Sequence, residues 1–441
     1  MSRPELNPNG KKKIHITTLG CSKNLYDSEI LMGQLLANGV TLLDEPENAD
    51  VIILNTCGFI TPAKQESIQA ILEAGQLKKE NPNIQVVVCG CLSARYSQTL
   101  VKKIPEVDAY FGTEDYSGIL KFLDLDNNHT KHLYENRYLS QKRHFAYLKI
   151  SEGCNHKCAF CAIPLMRGRH RSRPMEDIVQ ETKILAEKNV KEIILIAQDT
   201  TFYGLDLYKK QRIIDLLKDL EKIDGIEWIR LHYAYPTTFQ DGLIDLIQNS
   251  DKIVHYVDMP IQHISDRMLK IMKRGGNSRQ IKTILQNLRD KISDVVLRTT
   301  LLVGHPGETE KDFTELRNFI EEIKFDRLGV FQYSAEENTT AFRLESLPQS
   351  IVEERYNEIM AMQQNISFHK NLEKRNRIFR VLIDEINDAK KIAVGRTYGD
   401  SPEIDNEVII ENPPKNIIEG TFYDVKIVDT LEYELFGQIM E

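Results

Sequence analysis

Along the first quarter of the chain, short apolar runs alternate with stretches in which apolar side chains recur at helical spacing. Ile14–Leu19, Val51–Asn55 and Val86–Val88 read as strands, and Leu25–Leu36, Pro62–Lys79 and Ser93–Lys103 read as helices. Thr61 is the expected N-cap of the second helix, with Pro62 at its first position. This alternation predicts an open α/β domain built on a mostly parallel sheet. From Phe145 to Ser334 six more strand-like runs each precede a helical pattern: Phe145–Ile150, Glu192–Ala197, Glu227–His232, Ile253–Val257, Val295–Val303 and Arg327–Tyr333. Ile193-Ile194-Leu195-Ile196 is apolar on both faces, as in a strand covered on both sides, and six βα units imply a partial barrel. Leu347-Pro348 opens a long polar helix to about Lys374, with Val352, Tyr356, Ile359, Met360 and Ile366 as its packing stripe. Beyond it lie five short strands, Phe379–Ile386, Lys391–Arg396, Glu407–Ile410, Tyr423–Val428 and Glu434–Met440, punctuated by Gly395, Gly399, Pro402, Pro413 and Pro414. They predict a small antiparallel β-barrel. The expected organisation is therefore an α/β chain in three parts: an N-terminal open parallel-sheet domain (12–140), a central partial barrel with a trailing helical linker (141–374) and a C-terminal barrel (375–441). Residues 1–11 read as a loose tail.

Composition narrows the setting. No run of 18 apolar residues occurs and the N-terminus is polar, so neither a membrane span nor a signal peptide is expected, and the chain reads as cytosolic. Seven cysteines leave one over in any disulfide scheme, and a reducing compartment disfavours disulfides, so clustered thiols read as metal ligands. A net charge of -8 argues against non-specific nucleic-acid binding.

The densest chemistry is Cys154-Asn155-His156-Lys157-Cys158-Ala159-Phe160-Cys161, three thiolates on one loop without a fourth cysteine. Three ligands on a four-iron cube leave one iron open, which catalysis needs and a structural site lacks. A zinc site completed by His156 or a remote histidine, or a chance cluster of thiols, are the alternatives. With Phe160 just before the last cysteine, the loop resembles the signature of the radical S-adenosylmethionine superfamily. Cys21, Cys57 and Cys91 each follow a strand-like run and precede a helix, which puts all three at the carboxyl ends of parallel strands, where open α/β sheets bind ligands. They read as ligands of a second cluster, or as ordinary buried cysteines. Gly20-Cys21 and Gly90-Cys91 favour Cys91 over Cys89, which reads as structural. Leu19-Gly20-Cys21-Ser22-Lys23-Asn24, Asn55-Thr56-Cys57 and Gly90-Cys91-Leu92, followed by the radical loop, are similar to the methylthiotransferase family along essentially the whole chain.

In a partial barrel the residues after the strands line the active site. Those residues are Gln198 and Asp199, Tyr233–Pro236, Asp258–His263 and Gly304–Glu308. Each has a plain reading too: Asp199 as a helix cap, Gly304, Pro306 and Gly307 as turn formers, His232, His255 and His263 as structural histidines. Arg167–Arg173 carries four arginines in seven residues, either a solvated or ion-paired face or a grip on an anionic partner or cofactor carboxylate.

The resemblance implies two [4Fe-4S] clusters, on Cys154, Cys158 and Cys161 and on Cys21, Cys57 and Cys91. It implies S-adenosyl-L-methionine on the open iron of the first, flanked by Phe160 and by Gln198, Asp199, Gly304 and Glu308. Reductive cleavage would release a 5'-deoxyadenosyl radical that takes hydrogen from the β-carbon of a target aspartate, and the second cluster would carry the sulfur. A reducing donor such as flavodoxin or ferredoxin is expected. From Arg375 to Glu441 there are 8 Lys and Arg against 14 Asp and Glu, a net of -6, which suits a basic protein better than tRNA. Ala197–Thr201, Met259–His263, Gly304–Glu308 and Gly395–Asp405 resemble the branch that modifies a small-subunit ribosomal protein, with nucleic acid an incidental contact. The rivals are a tRNA adenosine methylthiotransferase, a non-catalytic iron-sulfur carrier or ribosome-binding factor, and a zinc-binding module.

Overall fold

The computed structural model describes residues 12–126 and 133–440; the tail expected over residues 1–11 lies outside the described residues. The chain forms two compact units. One runs to Gln141 and takes in Glu152–Asn155 and Ala162–His170; the other comprises Lys142–Ser151, His156–Cys161 and the chain from Arg171 onward.

In the first unit, β1 (Lys13–Thr18), β2 (Thr41–Leu43), β3 (Val51–Thr56), β4 (Gln85–Gly90) and β5 (Ala109–Tyr110) form a parallel sheet in the order β2-β1-β3-β4-β5. The connecting helices are α1 (Ser22–Ala37), α2 (Thr61–Glu80), α3 (Cys91–Lys103) and α4 (Tyr116–Phe122). Strand β3 shows why both faces need cover. Its Val51 and Ile53 pack with Leu31 and Leu35 of α1 and Ile119 and Leu120 of α4, whereas Ile52 and Leu54 pack with Ile71 and Ala74 of α2 and Leu92 and Leu100 of α3. One expectation is corrected: Thr61 is not the N-cap of α2. Lys64 N–H bonds the carbonyl of Ile60 at 3.0 Å, so the first turn closes one residue earlier and extended Ile60 is the cap.

In the second unit, β6 (Phe145–Lys149), β9 (Glu192–Ile196), β10 (Trp228–Leu231), β11 (Ile253–Asp258), β12 (Val296–Val303) and β13 (Arg327–Gln332) form a parallel sheet in sequential order. Two-residue strands β7 (Ser151–Glu152) and β8 (Arg171–Ser172) and helix α5 (Ile163–Arg167) border the cysteine loop in sequence. Helices α6 (Met175–Glu187), α7 (Ile213–Glu221), α8 (Asp241–Asn249), α9 (Asp266–Ile271), α10 (Ser278–Lys291) and α11 (Glu310–Ile323) supply the crossovers. Sequential βα units wind one way, so all carboxyl strand ends open on one side.

Helix α12 (Gln349–Leu372) buries Val352 and Ile359 as its spacing predicts, but the same stripe also buries Arg355, Gln363, Ser367 and Asn371. Gln363 donates to the carbonyl of Phe325 at 2.9 Å and Asn371 to that of Leu431 at 2.9 Å, which gives both buried amide N–H groups a partner. Strands β14 (Ile378–Asn387), β15 (Ile392–Arg396), β16 (Glu407–Glu411), β17 (Phe422–Thr430) and β18 (Glu434–Ile439) close a barrel around Val381, Ile383, Ala393, Val408, Ile410, Val425, Ile427 and Leu435. Neighbours are antiparallel, as expected, except for β16 and β18, which run parallel because β17 crosses over to pair with β14 and β18 returns beside β16.

The segment Gly395–Asp405 joins this barrel to the six-stranded sheet. Arg396 bonds Glu192 and Asp384 at 2.7 Å each, Arg327 pairs with Asp400, Tyr256 Oη donates to Asp405 at 2.7 Å, and Ser401 meets His232 at 3.0 Å. These groups are buried, so the joint is specific in geometry: breaking one partner strands a buried charge.

Candidate active site

In the first unit the three predicted cysteines occupy equivalent strand-to-helix junctions. Cys21 is the N-cap of α1, Cys91 the first residue of α3, and Cys57 follows β3 with its N–H given to Ser67 Oγ at 2.9 Å. Glycines let the junctions meet. A Cβ on Gly20, at φ +96°, would lie 2.7 Å from Cys57 Cβ, and one on Gly58 would lie 2.8 Å from the Leu92 backbone beside Cys91. Cys57 and Cys91 are buried and Cys21 is exposed, which leaves the set one open side. Burial pushes the Cys57 thiol up and the Cys91 thiol up to about 12, the neighbouring cysteines adding to both. Metal must therefore displace protons here. A set of sulfurs alone is the donor chemistry of an iron-sulfur cluster or zinc. Cys89 turns the other way and packs with Val51, Ile53 and Val87, as its structural reading expected.

Arg167 belongs to this region and not to a solvated run. Its guanidinium is buried and donates to Glu152 at 2.9 Å, Asp27 at 3.1 Å and Asn24 at 2.6 Å. Burial opposes its charge, but Asp27 and Glu152, and after them Cys91 and Cys21, hold it firmly protonated. Arg169 and Arg171 are exposed, and Arg173 pairs with Glu181 at 2.8 Å. Asp27 and Glu152 carry no local sequence signal; only the fold brings them to Arg167.

The two stretches of the radical loop are each held within their own unit. In the first, Cys154 N–H donates to the carbonyl of Gly168 at 3.1 Å. In the second, Cys161 N–H bonds the carbonyl of Cys158 at 3.2 Å, and Ala159 is clamped by backbone bonds to Met272 and Ala341, each 2.8 Å. Phe160 packs edge-on to His305, 6.2 Å between ring centroids, against Met268, Met272 and Leu302. His156 Nε2 lies 2.7 Å from Asp199, and its ring stacks on Tyr235 at 3.8 Å and 8°. That engagement fixes the orientation of the ring. Asp199 also accepts from Thr201 Oγ1 at 2.7 Å and Phe202 N–H at 3.0 Å, so it shapes its own turn and anchors the loop at once.

Other strand ends sort themselves. Glu308 takes Gly304 N–H at 2.8 Å and Arg355 at 2.8 Å, so the pair builds one turn, while burial pushes the Glu308 carboxyl up against the pull of Arg355. His255 faces Asp294 at 2.6 Å on the surface. Tyr233 and Gln262, both among the expected residues, adopt left-handed backbone at φ 59° and 70°, a conformation that costs energy and concentrates at working sites. Among the described residues, Gln198 Oε1, His263 Nε2, His305 Nε2 and Tyr333 Oη are buried without a hydrogen-bond partner. Each follows a strand of the sheet, and each costs about 1–3 kcal/mol while unpaired. His263 Nδ1 accepts from Ile264 and Ser265 N–H at 2.9 and 3.0 Å, and burial drives its pKa down to about 3, so its free Nε2 carries the proton. Unsatisfied donors and acceptors after four strands of one sheet, with the apolar cluster around Phe160, fit a polar, nucleoside-like cofactor. No described helix is long and apolar enough to cross a membrane.

Three family models match the chain. Residues 13–112 match the uncharacterized protein family UPF0004, 148–320 the radical SAM superfamily and 377–440 the TRAM domain. The ribosomal protein uS12 methylthiotransferase RimO of Aquifex aeolicus is 49% identical over 431 residues, covering 97% of this chain and 98% of the relative. That of Christiangramia forsetii is 47% identical, covering 97% and 94%. Among solved structures, the radical S-adenosylmethionine methyltransferase TsrM from Kitasatospora setae aligns with TM-score 0.55 at 13% identity over 75% of this chain and 74% of that one, a likeness of fold. A transferase built on radical S-adenosylmethionine and [4Fe-4S] chemistry is what the site and these relatives jointly describe, and the chain belongs to the ribosomal protein uS12 methylthiotransferase family.

Proposed function

We propose that the protein adds a methylthio group to the β-carbon of an aspartate in ribosomal protein uS12 of the small subunit. The observation that carries this is the presence of two separate three-cysteine sets: the loop carries three cysteines and no fourth, and the N-terminal set stops at three because Cys89 is turned into the core. Cys154, Cys158 and Cys161 would hold one [4Fe-4S] cluster with S-adenosylmethionine on its open iron, and Cys21, Cys57 and Cys91 a second. Once bound, these groups supply hydrogen abstraction from an unactivated C–H bond and the sulfur and methyl that replace the hydrogen, which no side-chain acid or base offers.

The chain's own share is to hold, orient and keep dry. Phe160 and the wall of Met268, Met272 and Leu302 exclude water from one side of the cofactor, while Gln198 Oε1, His263 Nε2–H and His305 Nε2 offer it unpaired polar atoms. Asp199 keeps the loop in place through His156, and Gly304 with Glu308 fixes the turn after β12. We assign residues 12–140 to the sulfur-carrying domain, 141–374 to the radical barrel with its linker and 375–441 to substrate recognition. A low-potential carrier such as flavodoxin or ferredoxin would supply electrons, in the cytoplasm. The acidic barrel speaks against a tRNA substrate. Of its basic side chains, Arg396 is locked onto Asp384 and Glu192 and Arg380 pairs with Glu227, which leaves still less charge for phosphates.

The test is anaerobic reconstitution, iron and sulfide assay, then incubation with uS12, S-adenosylmethionine and dithionite. About eight irons per chain and a one-methylthio mass gain on an aspartate are expected. Four irons would remove the N-terminal cluster from the mechanism, and modification of tRNA alone would refute the substrate.

A further inference from the structure

Arg274 lies in the turn after α9, followed by Gly275 and Gly276, and its side chain is buried. Nη1 donates to Cys158 Sγ at 3.4 Å and Nη2 to the carbonyl of Pro260. The guanidinium lies over the Tyr235 ring at 4.2 Å from its centroid, and Tyr235 Oη donates back to the carbonyl of Arg274. Tyr235 in turn stacks on His156 of the cysteine loop. Among the described residues no carboxylate pairs with Arg274, although the other deeply buried arginines, Arg137, Arg167, Arg230, Arg327, Arg355 and Arg396, all have one.

A buried guanidinium without a counter-ion costs several kcal/mol, so the fold keeps Arg274 there only if something beside it is negative. Its nearest candidate anion is the Cys158 sulfur. A donor to a ligand sulfur and a fixed positive charge both favour the more negative, reduced state of an iron-sulfur cluster.

We propose that Arg274 is the counter-ion of Cys158 and a positioning residue that raises the reduction potential of the cluster held by the 154–161 loop. This deepens the reading above and rests on that loop holding a cluster. Arg274 thereby makes the one-electron reduction of the loop cluster, by dithionite or a protein carrier, more favourable. The Tyr235 ring keeps the guanidinium in place and, through His156, ties its position to that of the loop.

The test is a redox titration of the reconstituted full-length protein, followed by electron paramagnetic resonance, with the loop cluster identified as the signal that S-adenosylmethionine alters. Arg274→Met should keep its iron and lower the reduced fraction at fixed potential by about tenfold. Arg274→Gln, which keeps N–H donors but no charge, should fall between Met and native, and Arg274→Lys closest to native. Should Met load poorly, the order of native, Lys and Gln carries the test. Unchanged titrations in iron-loaded Gln and Met variants would overturn the proposal. If Cys158→Ala left iron content and the S-adenosylmethionine-sensitive signal intact, the cluster reading itself would fail, a result independent of Arg274.

Discussion

Around Cys21, Cys57 and Cys91 the buried cation Arg167 arrives with its own anions, Asp27 and Glu152, whereas beside Cys158 the buried Arg274 has no carboxylate among the described residues. A cation already matched by two carboxylates adds no net positive charge to its surroundings; it orders the chain. An unmatched one acts on whatever anion lies beside it. The contrast suits the two jobs proposed above: one cysteine set would hold sulfur without needing to accept an electron easily, while the other would be reduced in every turnover.

The comparison breaks most decisively at the cysteines. Cys158→Ala is expected to abolish S-adenosylmethionine cleavage, read as 5'-deoxyadenosine formation, while Cys57→Ala leaves cleavage intact and stops methylthiolation. Product from the Cys57 variant would end the division of labour. Next in size, Arg167→Met strands two buried carboxylates and should cost about 3–5 kcal/mol in urea unfolding of the metal-free protein. Arg274→Met leaves no carboxylate stranded and should cost well under that; equal losses would contradict the charge asymmetry. The last effect, on metal affinity and not on stability, is a pH dependence. Cys57 and Cys91 both have raised thiol pKa values, Cys91 about 12, so at neutral pH each sheds a proton on binding metal. Affinity should then rise with pH and fall as pH drops, by about tenfold per proton per unit, or about a hundredfold for the pair. Cobalt titration of a variant lacking the three loop cysteines, followed by the thiolate charge-transfer band between about pH 6.5 and 8.5, measures it. A flat profile would mean that these thiols are not the ligands.

Where the sequence is read locally it reads well. All six central strands and all five barrel strands lie within two residues of their expected ends, because runs such as Ile193–Ile196 need cover on both faces wherever they sit. The edge strand Thr41–Leu43 and helix Tyr116–Phe122 were not legible, being too short for periodicity to speak. Thr61 misled because a capping residue before proline competes with a first turn that can close on Ile60 instead. At the site, the loop cysteines announce themselves by spacing, but Arg274 gives no signal beyond a basic residue before two glycines, and its partner Cys158 is 116 residues away in sequence.

What the sequence determined by itself is what short-range chemistry specifies: βα alternation, the three-cysteine loop, the glycines beside Cys21 and Cys91. What only tertiary structure decided is which groups share a buried volume. Cys89 and Cys91 differ by two positions, yet one packs among valines of the sheet and the other opens a helix beside Cys21 and Cys57. Arg167 and Arg274 are alike as residues, yet one meets Asp27 across 140 positions and the other meets a sulfur. Charge compensation in a buried site is set by long-range contacts, and no local pattern encodes them.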